Sequence, residues 1–159
     1  MLKERVMEYY LNQDYNCAES IIRAANDKYG LGLQEEAIHA LGGFGSGCCA
    51  GRLCGTCAAG VAAISAKYIH TRLHADEQAR EKVSRFMDAF IKYMGSDLCE
   101  DLKKKFWKEE LEAGRCRRTV ELAADFLELE MEQFMAEDLE NKQRENADTQ
   151  ETRESEVNS

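Results

Sequence analysis

The stretch Gly42-Gly43-Phe44-Gly45-Ser46-Gly47-Cys48-Cys49-Ala50-Gly51-Arg52-Leu53-Cys54-Gly55-Thr56-Cys57-Ala58-Ala59-Gly60-Val61-Ala62-Ala63-Ile64 decides the fold. Its first half carries too much glycine for a helix to tolerate, because each glycine loses more backbone freedom on ordering than any other residue. That half predicts a loop running from Gly42 through the cysteines to Gly55. Its second half is built almost wholly from small side chains and predicts a helix from Thr56 to His74. Neighbouring helices or a bound group can approach such a backbone closely, so this helix is expected to be central and the most buried.

Outward from this stretch the chain reads as helix throughout. There is no proline, Ala, Leu, Glu, Lys and Arg dominate, and apolar residues recur at three- and four-residue steps without period-2 alternation. A first helix is predicted over Leu2 to Leu11 with Val6, Tyr9 and Tyr10 inward. A second covers Cys17 to Tyr29 with Ile21, Ile22 and Ala25 inward, capped by Asp14 or Asn16 and ended by Gly30 in the left-handed region. A third, Gln34 to Leu41, presents Ala37, Ile38 and Leu41. Beyond the central helix, Asp76 can cap Glu77 to Met94, whose core stripe is Val83, Phe86, Met87, Phe90 and Ile91. Gly95-Ser96 breaks it. Leu98 to Ala113 follows, holding Cys99, Leu102, Phe106 and Trp107, with Gly114 as its end. The last helix starts near Cys116 and carries Val120, Leu122, Ala123, Phe126, Leu127, Leu129 and Phe134. The expected architecture is all-α: a single-domain bundle of six to seven helices over residues 1–140. A polar segment, 141–159, has almost no apolar residues and is expected to be a disordered tail.

Composition narrows the function. A formal charge of -9 and a pI near 4.9 argue against nucleic acid, which needs a basic surface. No apolar run approaches the ~18 residues of a membrane span, and no apolar stretch follows Met1-Leu2-Lys3-Glu4-Arg5 to act as a signal peptide. The chain therefore reads as cytoplasmic. In a reducing compartment, seven cysteines point to metal binding or redox work rather than structural disulfides.

Cys54-Gly55-Thr56-Cys57 is a C-x-x-C pair at a predicted helix start. There, exposed N–H groups and the positive end of the helix dipole favour a thiolate, the form that attacks disulfides or binds metals. No βαβ pattern surrounds the pair, which sets it apart from thioredoxin-type motifs. Ala58 stands where covalent haem attachment would need histidine. With Cys48 and Cys49 just upstream, four cysteines within ten residues could form a thiolate set for zinc or an iron–sulfur cluster. Cys17, Cys99 and Cys116 each fall in the first turn of a predicted helix, suggesting that several helix N-termini converge on one site.

Other groups are weaker candidates. His70 and His74 stand four apart on the predicted central helix, a chelating spacing, with Asp76 nearby; His39 reads as a helix-surface residue. Arg115, Arg117 and Arg118 would favour a thiolate at Cys116 or simply balance glutamates. No Ser/His/Asp set, phosphate loop or paired-carboxylate site is evident.

The arrangement resembles the C_GCAxxG_C_C family of redox-active proteins. The matching features are Asn16-Cys17-Ala18-Glu19-Ser20, Gly42-Gly43-Phe44-Gly45-Ser46-Gly47, Cys54-Gly55-Thr56-Cys57-Ala58-Ala59-Gly60, Cys99 and Cys116, covering about Tyr15 to Leu127. The resemblance implies a small helical protein with redox chemistry at Cys17, Cys99, Cys116 and one of Cys54 and Cys57. The family motif has a single central cysteine. Here Cys54 keeps the following glycine, while Cys57 keeps the following alanine.

Three functions compete. In the first, Cys54 or Cys57 attacks and Cys17, Cys99 or Cys116 resolves the mixed disulfide, with a redox partner protein or a small thiol as counterpart. In the second, Cys48, Cys49, Cys54 and Cys57 hold an iron–sulfur cluster or zinc. In the third, the chain is a non-catalytic helical interaction protein.

Overall fold

The computed structural model describes residues 1–107 and 116–157, with side chains described to 147. Seven α-helices and no strand are present among the described residues: α1 Leu2–Met7, α2 Cys17–Tyr29, α3 Glu35–Gly42, α4 Gly55–Tyr68, α5 Glu77–Met94, α6 Cys99–Phe106 and α7 Arg117–Val157. The expected all-α bundle is therefore what forms. None of these helices is long and apolar enough to cross a membrane. The chain divides into two compact units, Met1–Glu128 and Leu129–Ser159, and the core contacts and the site described below lie in the first. In the second, residues 141–147 of α7 are exposed, as a segment whose one apolar side chain is Ala147 must be.

Helix α4 packs between α2 and α5. Gly55 to Gly60, Ala63 and Ile64 are buried, so the small-residue helix is central as expected, although α2 is buried to a similar extent. On α5 the buried stripe is Ala79, Lys82, Phe86, Phe90 and Met94. Phe86, Phe90 and Phe126 form an aromatic cluster with ring centroids 5.5–5.9 Å apart. Arg23 on α2 is buried, forks onto Glu35 of α3 with two 2.8 Å bonds and lies 4.1 Å over the Tyr15 ring. This tie fixes α3 against α2.

Several expectations fail for identifiable reasons. Helix α1 ends at Met7 and gives way to a π-helical turn, Glu8–Asn12, in which Tyr10 is buried and Tyr9 half-buried. Ala37 is exposed and Ile38 alone anchors α3 in the core. Ile91 is 41% exposed, because it lies one residue off the α5 stripe, while Lys82, not expected in that stripe, is buried with its ammonium 4.9 Å from the Tyr68 ring. Helix α4 stops at Tyr68 rather than His74. The Asp76 carboxylate, expected to cap α5, instead accepts the N–H groups of His70 and Thr71 at 2.9 and 3.3 Å. His70 and His74 thus lie on a connector, not four apart on one helix, and the basis for a chelating pair is gone. Trp107 follows the end of α6 with extended backbone and is 53% exposed, not core. The expected continuation to Ala113, Gly114 as its stop, and Arg115 fall outside the described residues.

Candidate functional site

Four cysteines begin four helices. Cys17 opens α2 behind Asn16, whose Oδ1 accepts the N–H groups of Ala18 and Glu19 at 3.0 and 3.1 Å, while the Glu19 carboxylate accepts the Asn16 N–H. This capping box is local in sequence and was readable there. The Asn16 amide also donates to the Gly42 carbonyl at 2.9 Å, which fastens the glycine loop over the start of α2. Cys54 precedes α4, Cys99 opens α6 and Cys116 precedes α7.

What aligns α4 with α6 is an isolated antiparallel bridge between Leu53 and Leu98. Across it Cys54 N–H donates to the Asp97 carbonyl at 2.7 Å and Cys99 N–H to the Arg52 carbonyl at 2.6 Å. Asp97 therefore serves through its backbone. Just before α6 the Ser96 hydroxyl accepts the Leu98 N–H, and among the described residues no side chain caps the helix. To reach this bridge the chain makes one turn of left-handed helix at Ser46, Gly47, Cys48 and Cys49, all with φ between 54° and 65°. For the three residues that carry a Cβ this conformation costs about 1–2 kcal/mol each.

Close approach completes the grouping. A Cβ on Gly55 would lie 2.7 Å from Cys17 Sγ, and one on Gly47 would lie 2.5 Å from the Cys99 Cβ. Cys17 receives the Ser46 N–H. Like-charge repulsion from Cys54, Cys116 and Cys99 reaches Cys17, and Cys116 feels Cys99 and Cys54 in turn. Cys17, Cys54, Cys99 and Cys116 thus share one neighbourhood. Cys57 points elsewhere: it is fully buried, with its Sγ 3.5 Å from the Met87 sulfur, and feels only Cys54 among the other thiols. Cys48 and Cys49 are exposed on the left-handed turn. The set Cys48, Cys49, Cys54 and Cys57 is therefore not gathered, and among the described residues no group of three or more His, Cys, Asp or Glu is placed to hold a metal ion.

The electrostatics also depart from expectation. Helix starts were expected to favour thiolates, yet burial dominates, pushing Cys17 and Cys57 from an ordinary 9.0 up to about 12. The single Ser46 N–H opposes this at Cys17 without reversing it. Burial raises Cys99 and Cys116 too, and at both the Lys103 ammonium pulls the other way. Lys103 is a residue that sequence reading missed, although it stands four after Cys99 on the same helix face. Of the arginines read as favouring a thiolate at Cys116 or balancing glutamates, Arg117 and Arg118 both pair with Glu121.

A cleft of about 250 Å³ opens onto this group, lined by Tyr10, Asn16, Cys17, Ser46, Lys103, Trp107 and Cys116. Cys116 is held there by its N–H, which donates to the Tyr10 hydroxyl at 3.0 Å, and it is the one member of the quartet that is only half-buried. Accessibility fixes a reactivity order that can be checked. A brief pulse of iodoacetamide on the reduced native chain is expected to label Cys48 and Cys49 first, with Cys54, Cys57 and Cys99 labelled only after denaturation. Peptide mass mapping reads this directly, and Cys57 labelling as fast as Cys48 would contradict the burial described.

Comparison with curated proteins and with solved structures returns no match. Residues 15–129 match the family described as "Putative redox-active protein (C_GCAxxG_C_C)". That span holds the capping box, the glycine loop, the Leu53–Leu98 bridge and all four convergent cysteines, so the chain belongs to the C_GCAxxG_C_C family.

Proposed function

We propose that Cys17, Cys54, Cys99 and Cys116 form a thiol–disulfide centre in a cytoplasmic protein, the observation carrying this being their convergence from four helix starts beside one cleft. In the reaction two thiols of the quartet give up two protons and two electrons and join as a disulfide. The acceptor is a disulfide of a partner protein or small molecule, which leaves as two thiols.

Cys116 is the attacking thiol in this reading. It is the most exposed of the four and faces Lys103, whereas a thiol at about 12 is only about 10⁻⁵ thiolate at pH 7. Cys17, on the same cleft, resolves the mixed disulfide. Cys54 and Cys99, deeper and held across the bridge, act as the second pair. Between Cys54 and Cys57, the position of Cys54 within the quartet supports Cys54 as the family's central cysteine.

The test is oxidation of the anaerobically purified, fully reduced chain in a disulfide redox buffer, followed by mass mapping of cross-links. A Cys17–Cys116 cross-link is expected; it should disappear in Cys116→Ser and persist in the Cys48→Ser/Cys49→Ser double variant. An unchanged free-thiol count defeats the reading. Iron or zinc co-purifying in proportion to the quartet would replace it with a cluster or zinc site. Full cellular function after all four are changed to serine would favour a plain interaction protein.

A further inference from the structure

Helix α6 carries three consecutive lysines, and two of them are engaged. Lys104 pairs with Asp101 at 4.0 Å, and Lys105 donates to the Met94 carbonyl at 2.7 Å. Lys103 makes no hydrogen bond or ion pair among the described residues and lines the cleft together with Cys17 and Cys116. The other described side chains lining it, Tyr10, Asn16, Ser46 and Trp107, are uncharged. Among the described residues, the only charged side chain lining the cleft is therefore positive, in a chain whose formal net charge is -9.

We infer that this cleft binds a small anionic disulfide, its carboxylate on the Lys103 ammonium and its S–S bond against Cys116; the inference rests on the thiol–disulfide reading above. At about 250 Å³ the cleft falls below the ~300–1,000 Å³ of sites for drug-sized ligands, which suits a compact molecule rather than a polypeptide loop. Trp107, which lines the cleft and is half exposed, offers an apolar wall for the carbon chain between carboxylate and sulfur.

The chemistry balances without a further reagent. Cys116 sulfur attacks one sulfur of RS–SR, forming Cys116–SR, and RS⁻ leaves and takes up the proton that Cys116 lost. Cys17 sulfur then attacks the Cys116 sulfur. The Cys17–Cys116 disulfide forms, and the second RS⁻ leaves with the Cys17 proton. The protein dithiol is oxidised and RS–SR is reduced to two RSH.

Charge makes the test sharp. At long range a net charge of -9 favours cations and repels anions, so the global field alone predicts a cationic disulfide as the fastest oxidant. The experiment measures oxidation of the reduced full chain by 3,3′-dithiodipropionate (anionic), bis(2-hydroxyethyl) disulfide (neutral) and cystamine (cationic). Each rate is divided by that of the same reagent with a neutral small thiol, which removes intrinsic reactivity. The expected order is anionic, neutral, cationic. Lys103→Glu should lower the anionic-to-neutral ratio by about tenfold and place cystamine first, and Lys103→Gln should fall between. Any general loss of Cys116 reactivity in these variants divides out of the ratio. Raised salt should compress the wild-type differences. Cystamine fastest in the wild type, or ratios unmoved by Lys103→Glu, overturns the inference while leaving the thiol–disulfide reading intact. Failure of all three reagents to oxidise the quartet defeats both.

Discussion

Gly47→Ala is expected to destabilise the protein by roughly 3–5 kcal/mol and to disorganise the cysteine quartet, whereas Gly51→Ala should cost only about 1–2 kcal/mol. Both glycines have positive φ, 65° and 73°, so alanine at either pays the left-handed penalty. They differ in space. At Gly51 the nearest side-chain atom to a new Cβ is the Glu100 Cβ at 3.6 Å, ordinary contact. At Gly47 it would meet the Cys99 Cβ at 2.5 Å, the Arg52 nitrogen at 2.6 Å and the Arg52 carbonyl oxygen at 2.9 Å. None of these is the tip of a flexible side chain, so backbone must move.

The Arg52 backbone is also where the damage spreads. Its N–H donates to the Gly47 carbonyl at 2.9 Å, and its carbonyl accepts the Cys99 N–H that holds α6 beside α4. Displacing it loosens the turn and the bridge together. Urea unfolding of both variants gives the difference, and the iodoacetamide pulse gives the functional half: Cys54 and Cys99 should become labelled in Gly47→Ala but stay protected in Gly51→Ala. Equal stabilities for the two variants would mean that the close packing of Gly47 against Cys99 and Arg52 is not real.

Which parts of this site were readable beforehand follows from how local their causes are. The Asn16 cap, the Gly30 stop and the Glu77–Met94 helix rest on contacts within a few residues, and the sequence pattern carries them. So does the placing of Cys17 and Cys99 at helix starts, since a cap and its first turn are neighbours. The Leu53–Leu98 bridge joins segments far apart in the chain, and nothing in either segment announces the other. Without it, Cys54 and Cys57 look equivalent, and four cysteines within ten residues look like one ligand set. The bridge separates them by turning Cys54 toward α6 while the α4 helix carries Cys57 under Met87. Lys103 was concealed differently: among three adjacent lysines, only tertiary placement tells which one faces the thiols. The pKa direction was missed because a helix start contributes a fraction of a charge, while removing a sulfur from water acts on a whole one.

That reversal has the second large consequence, a loss of stability in mild alkali. Cys17 and Cys57 hold their protons up to about 12 in the folded chain, against 9.0 ordinarily. Below pH 9 both states keep these protons and stability does not depend on them. Between 9 and 12 the unfolded chain releases protons that the folded chain retains, so the folded state binds more protons and stability falls as pH rises. The slope is about 1.4 kcal/mol per pH unit for each thiol. Between pH 8 and 10.5 the two together should remove roughly 4 kcal/mol, a large share of a typical 5–15 kcal/mol.

Tyrosines and lysines titrate in the same range, so the comparison must be differential. A Cys17→Ala/Cys57→Ala variant, kept with the wild type under anaerobic reducing conditions, retains those other groups and the -9 formal charge while losing the two buried thiols. Its stability at pH 8 will be lower because small cavities replace the sulfurs, but its further loss on going to pH 10.5 should be about 4 kcal/mol smaller than that of the wild type. The single variants should each recover about half. Locking Cys17 in a disulfide removes its proton altogether, so the oxidised wild type should lose the Cys17 share of the slope and keep that of Cys57. Urea unfolding at the two pH values decides it: parallel pH dependence in the wild type and the double variant would show that burial does not hold these protons.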